Sequence, residues 1–204
     1  MCKLTTHWID APGGKIFIRF WRDDQPIKGI VHIVHGMMEH SGMYHDWAKA
    51  LCELGWDVVS HDHPGSGYTV IPECGPDHLP LNGMPILIKT ARFVDDWIKE
   101  RYPQQPVVRY GHSMGAFLSL VLEKNNVKAD GVILTGCTHE PSWAVHVQAR
   151  LIRALGSLFG VKKPAKLAHA MSIKPLNRAF KPTKTNHDWV SRMPDVLSQY
   201  SKDP

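Results

Sequence analysis

Pro106-Val107-Val108-Arg109-Tyr110-Gly111-His112-Ser113-Met114-Gly115-Ala116 changes character within a few residues. The β-branched run behind Pro106 reads as a strand, and Ala116 to Lys124 reads as an apolar helix. Between them, Gly111-x-Ser113-x-Gly115 fits a sharp strand-to-helix turn that exposes a serine hydroxyl, with glycines where two backbones pass close together. Such a turn puts Ser113 at the positive end of the following helix, which favours a developing anion. Ser113 is therefore the candidate nucleophile, and Gly111, His112 and Gly115 form its elbow.

The flanking sequence repeats the same alternation. Gly29 to Val34 is apolar almost throughout, as a strand buried on both faces requires, and Asp57 to Ser60 and Gly131 to Thr135 are further short strands. Lys15 to Arg22, behind Ala11-Pro12-Gly13-Gly14, predicts an antiparallel strand leaving a hairpin. Tyr44 to Leu54 predicts a helix with Trp47, Leu51 and Leu54 on one face and Gly55 as its C-cap. Met84 to Tyr102 predicts a longer amphipathic one on which Met84, Leu87, Ile88, Ala91, Val94 and Ile98 share a face, with Asp95, Asp96, Lys99 and Glu100 pointing elsewhere. Strands alternating with helices imply an α/β fold with a mainly parallel sheet flanked by helices. After residue 138 the composition turns to helix formers, so residues 1–138 read as a core and 139–204 as a helical cap.

The loop His35-Gly36-Met37-Met38-Glu39-His40-Ser41-Gly42 directly follows the first central strand. A loop at that place supplies one backbone N–H of an oxyanion hole, and the residue after the nucleophile supplies the other. The expected donors are the amides of Met37 and Met114, with Gly36 shaping the loop.

The chain has 204 residues, 43% of them hydrophobic and 21% charged, enough for one domain with a sizeable core. The net charge of +5 permits transient contact with an anionic membrane surface. No basic run interleaved with aromatics points to nucleic acid, and no phosphate-cradling glycine loop points to a nucleotide or cofactor. No apolar run reaches the length of a membrane-spanning helix, and the N-terminus lacks a signal peptide's apolar region. Cys2, Cys52, Cys74 and Cys137 are widely spaced and read as free thiols in a reducing cytoplasm. His61 and His63 flank Asp62, but alternate residues of a strand end face opposite ways, so no metal site is expected.

Three segments together resemble the monoacylglycerol lipase and lysophospholipase-like branch of the α/β hydrolases. They are H-G-x-x-E-H-S-G-x-Y at His35 to Tyr44, D-x-x-G-x-G at Asp62 to Gly67, and G-H-S-M-G at Gly111 to Gly115. The segments His187 to Arg192 and Lys202-Asp203-Pro204 also look like cap-end segments of bacterial members. The resemblance implies a serine ester hydrolase of small-molecule esters or lysolipids, without a cofactor, and with a mobile helical cap. Met38, Pro64 and Ser66 depart from residues common in that branch, Gly or Ala at the first and Arg and His at the other two.

A serine hydroxyl needs a histidine base, oriented by a carboxylate, and in this fold both follow the nucleophile in the chain. His139, His146, His169 and the neighbouring His187-Asp188 are the late candidates, though adjacent residues rarely align one behind the other. No further β-branched run follows residue 182. The expectation is an N-terminal part of a longer hydrolase, incomplete on its C-terminal side, with its triad Asp and His beyond Pro204. The strand Gly131 to Thr135 would then be an exposed edge that makes this chain associate.

Overall fold

The computed structural model describes residues 1–69, 83–137, 177–185 and 187–202, with single positions 143, 146, 147, 149, 150 and 154. The chain divides into two compact units, Met1–His139 and Glu140–Pro204.

In the first unit β1 (Lys3–Ala11) and β2 (Gly14–Arg22) form an antiparallel hairpin, closed where Ala11 faces Gly14. Pro12 presets the turn, and Gly13 takes a φ of +107° that a side chain would resist. β3 (Gly29–Val34) leads through α1 (His45–Glu53) to β4 (Trp56–His61). After α2 (Gly83–Arg101) come β5 (Val107–His112), α3 (Met114–Lys124) and β6 (Gly131–Thr135). The sheet order is β1-β2-β4-β3-β5-β6, with β4, β3, β5 and β6 parallel and the hairpin antiparallel beside β4.

Every residue of β3 is buried, which explains a run that is apolar except at His32. One core layer joins Ile16, Ile18, Ile30, Val59 and Val107 to Val94 and Ile98 of α2. The other joins Trp21, Val31, Ile33 and Val58 to Ala48 and Cys52 of α1. Helices therefore cover both sheet faces, the α/β arrangement the strand pattern predicts. β6 lies at one end of the sheet among the described strands, and its Ile133 is half exposed. No helix among the described residues is long and apolar enough to cross a membrane.

Three expectations need correcting. α1 buries Ala48 and Cys52, while Trp47 and Leu54 stay exposed. Gly55, at φ +91°, does terminate the helix, its N–H reaching the Cys52 carbonyl at 2.9 Å. On α2, Asp95 is fully buried instead of facing solvent, because the sheet beneath it carries His32 and Arg109. Third, Cys2 and Cys52 are not free thiols: a disulfide joins them across 50 residues, Cα atoms 5.9 Å apart. The thiol premise of the cytoplasmic expectation fails for this pair. Cys137 is free and exposed. Cys74, Asp203 and Pro204 lie outside the described residues.

A cross-link spanning 50 residues restricts the unfolded chain by about 4 kcal/mol. Thiol titration after denaturation should find two more thiols in reduced than in untreated protein, and reduction should lower the urea midpoint.

Candidate active site

β3 connects toward β4 on one side, while β5 lies on its other side. Ligands bind at such a reversal, beyond the carboxyl ends of the strands. Here Val34, the last residue of β3, pairs with Gly111 of β5, so the segments leaving the two strands start side by side.

The segment leaving β5 is a strained elbow. Ser113 has φ +50° and ψ −114°, a conformation that a residue with a side chain adopts only when its surroundings enforce it. Its N–H donates to the Thr135 carbonyl of β6 at 2.9 Å, and its own carbonyl accepts from Ala116 at 3.0 Å. The Thr135 hydroxyl also meets Tyr110 Oη at 2.8 Å and His112 Nδ1 at 2.9 Å. A Cβ on Gly111 would lie 2.6 Å from the Gly115 carbonyl oxygen, and one on Gly115 would strike the Val34 carbonyl. Both glycines are steric requirements. Met114 opens α3, so its N–H has no carbonyl one turn earlier to bond.

The segment leaving β3 is tied down by Glu39. Its Oε2 accepts from the Gly36 N–H and from Tyr44 Oη, each at 2.7 Å, while Oε1 lies 3.6 Å from Nε2 of His112. Burial, with the Glu39 charge, pushes the Tyr44 hydroxyl far up, so it remains a donor. His35 is wholly buried, and its Nδ1 lies 2.8 Å from the Gly36 carbonyl. In a planar trans peptide C=O and N–H point opposite ways, so drawing the Gly36 oxygen inward turns the Met37 N–H outward. Met38 follows at φ +61°, a reason for the smaller residues usual there in the branch the sequence resembles.

Asp62 anchors the next loop. Its carboxylate accepts from the Ser41 and Tyr68 amides, each at 2.9 Å, from the Ser41 hydroxyl, and from Arg19 Nη1 at 3.2 Å. With Pro64 and Ser66 in place, the loop still closes on itself, Gly65 N–H to Thr69 O at 2.7 Å and Ser66 N–H to His63 O at 2.8 Å.

Strand alternation alone does not require His61 and His63 to converge. They converge, Nε2 of one 3.0 Å from Nδ1 of the other, because β4 ends at His61 and the chain turns before His63. No group of three or more His, Cys, Asp or Glu among the described residues has the geometry to hold a metal ion. Nor does any described imidazole hydrogen-bond the Ser113 hydroxyl. Asp188 is engaged by the Lys184 amide and by the Thr185 amide and hydroxyl, not by His187, whose ring packs 5.3 Å from Tyr200. His139 and His169 lie outside the described residues.

A family model described as serine aminopeptidase, S33, matches residues 25–204. The chain belongs to this α/β-hydrolase family. Mouse monoglyceride lipase is 28% identical over 116 residues, 57% of this chain and 37% of the mouse protein. A monkeypox virus monoglyceride lipase homolog is 35% identical over 54% of this chain and 38% of its own length. Monoacylglycerol lipase of Mycolicibacterium smegmatis is 26% identical over 97% of this chain and 64% of its own length. The chain thus spans little more than a third of the mouse and viral relatives. A carboxyl esterase from Bacillus coagulans shares the fold at TM-score 0.80 and 23% identity, covering 98% of this chain and 66% of the esterase.

Within this hydrolase core, Glu39 and the inward role of His35 carry no sequence signal beyond their place in the loop motif. Burial holds His35 down at about 3 and keeps His61 and His63 well below the ordinary histidine range. They stay neutral when folded, whereas the unfolded imidazoles take up protons below about pH 6.5. The unfolded state therefore binds more protons between about pH 6.5 and 3, and stability falls as pH drops through that window. At pH 4.5 His35 alone costs about 3 kcal/mol. Urea midpoints at pH 7.5 and pH 4.5 should differ accordingly; equal midpoints would contradict neutral buried imidazoles.

Proposed function

We propose that Ser113 is the nucleophile of a serine ester hydrolase acting on monoacylglycerols or lysophospholipids. The observation carrying this is the positive-φ serine on a strand-to-helix elbow, beside a loop whose Met37 amide is turned outward. In the reaction the Ser113 oxygen attacks the ester carbonyl carbon while a base takes its proton. The carbonyl oxygen becomes an oxyanion held by the Met37 and Met114 amides, at the positive end of α3. Collapse expels the alcohol, which receives the proton, and leaves an acyl-enzyme that water hydrolyses. The base and its carboxylate come from outside the described residues.

The names of the relatives support an acylglycerol as the ester, and residues 139–204 are proposed as a helical cap. Substrate presented at a lipid surface would make membrane contact transient, assisted by the net positive charge. A second reading, a pocket that binds lipid without turnover, draws on one observation: no described histidine reaches Ser113.

Fluorophosphonate labelling with peptide mapping separates the two. An activated serine labels on the Gly111–Gly115 peptide, Ser113→Ala abolishes the label, and glycerol release from dispersed monoacylglycerol falls by about a thousandfold or more with it. Absence of label both here and in a form continued past Pro204 favours the non-catalytic reading.

A further inference from the structure

A line of buried polar contacts crosses the sheet beneath the site and ends at the loop that carries Met37. Arg109 on β5 donates to Glu123 of α3 at 2.9 Å, to the Val127 carbonyl at 3.0 Å and to Asp95 of α2. Asp95 Oδ1 lies 2.6 Å from Nδ1 of His32, and His32 Nε2 lies 3.2 Å from Nδ1 of His61. His61 Nε2 lies 3.0 Å from Nδ1 of His63, whose Nε2 lies 3.1 Å from the His35 carbonyl oxygen. All four side chains from Asp95 to His63 are fully buried.

The protons can be counted. From Asp95 to the His35 carbonyl there are four contacts, and each needs one hydrogen between its two heavy atoms. The two ends, a carboxylate and a carbonyl, bring none. A neutral imidazole carries one ring hydrogen, so His32, His61 and His63 supply three. One contact would then set two lone pairs against each other in a dry interior, at the cost of an unsatisfied buried polar group.

We infer that the Asp95–His32 pair holds the missing proton, with His32 as an imidazolium, and that this pair positions the Met37 amide through His61, His63 and His35. The positioning half rests on the oxyanion role proposed for Met37; the proton count does not. With His32 donating from both nitrogens, His61 and His63 each donate from Nε2, and the last hydrogen reaches the His35 carbonyl. His35 accepts the His63 N–H at Nε2, at 3.0 Å, and donates from Nδ1 to the Gly36 carbonyl. Every ring nitrogen in the line is then satisfied by one assignment of tautomers.

The groups facing His32 agree with it as the holder. Burial raises the Asp95 carboxyl, but the hydrogen bond and charge of His32 and the Arg109 guanidinium outweigh that and keep it ionised. Burial above all drives His61 and His63 toward the neutral form, helped at His61 by the imidazoles of His63, His32 and His35 and at His63 by those of His35 and His32. Arg109, Asp95 and the partly buried Glu123 together carry one net negative charge, which an imidazolium cancels; Lys128 answers Glu123 from solvent at 3.5 Å. Reversing the line, with hydrogens on Nδ1 of His61 and His63, would turn a lone pair of His63 onto the His35 oxygen and release that peptide.

Nitrogen NMR of the unreacted protein, labelled in histidine, tests both halves at neutral pH. The expected pattern is two protonated ring nitrogens on His32, Nε2–H tautomers at His61 and His63, and an Nδ1–H tautomer at His35. In Asp95→Asn the amide donates to a neutral His32, so His32 loses its second proton while the other three tautomers and the Met37 amide signal stay unchanged. In His32→Phe, His61 and His63 exchange between tautomers, and the Met37 amide signal shifts and broadens. A wild-type His32 with one protonated nitrogen, or Nδ1–H forms at His61 and His63, overturns the proton assignment. A folded His32→Phe with an unmoved Met37 signal overturns the positioning. None of these readouts needs turnover, so a Ser113 that never labels sinks the hydrolase reading and leaves the proton assignment intact.

Discussion

A side chain on Gly115 would strike the Val34 carbonyl, and one on Gly111 would press on the backbone of Gly115 and Ala116. That close approach of α3 to the end of β3 fixes the distance between the two segments on which any chemistry at Ser113 depends. The strain at Ser113 is the counterpart of the same constraint. The chain can turn from β5 into α3 in so little space only by taking φ to +50°, and the bond from the Ser113 N–H to Thr135 holds it there. β6 thus does more than extend the sheet, since its last residue braces the elbow through the backbone and braces His112 and Tyr110 through its hydroxyl.

The loops around the elbow have little apolar surface to bury, and two carboxylates organise them instead. Glu39 gathers an amide and a tyrosine hydroxyl, and Asp62 gathers two amides, a serine hydroxyl and a guanidinium. Charge-assisted bonds of this kind are short and directional, so each loop has one geometry rather than several. A buried carboxylate is stable only with such a full set of donors. Loss of one donor would therefore be felt by the others.

The alternation of strands and helices, the hairpin at Pro12-Gly13 and the strand-to-helix turn at Ser113 were legible in the sequence, because each follows from local rules of period, turn chemistry or close packing. The sheet order was not, although it decides that Val34 and Gly111 lie side by side. Periodicity placed Asp95 on the solvent side of α2 because the rule assumes an apolar sheet beneath the helix. His32 and Arg109 break that assumption, and each looked unremarkable within its own strand. The Cys2–Cys52 bridge was hidden for a similar reason, since a span of 50 residues has no local signature. His61 and His63 misled because alternation holds inside a strand and stops where the strand does.

Imidazole is the one neutral side chain that presents a donor and an acceptor at opposite edges of a rigid ring, so a row of them can carry a polar contact through a core without a net charge on each. Such a row has two registers, however, all hydrogens pointing one way or all pointing the other, and the rings themselves do not choose. The choice falls to the ends. At one end the backbone oxygen of His35 can only accept, and at the other Asp95 can only accept while it is ionised. Two accepting ends leave the row one hydrogen short, so it is complete only when it carries an extra proton, and the carboxylate is where that proton is best stabilised. Apolar side chains at these positions would pack as well and would avoid the cost of burying polar rings. They would not determine which way the His35 carbonyl turns. Orientation of one peptide plane is the property that the imidazole row supplies and a greasy core cannot.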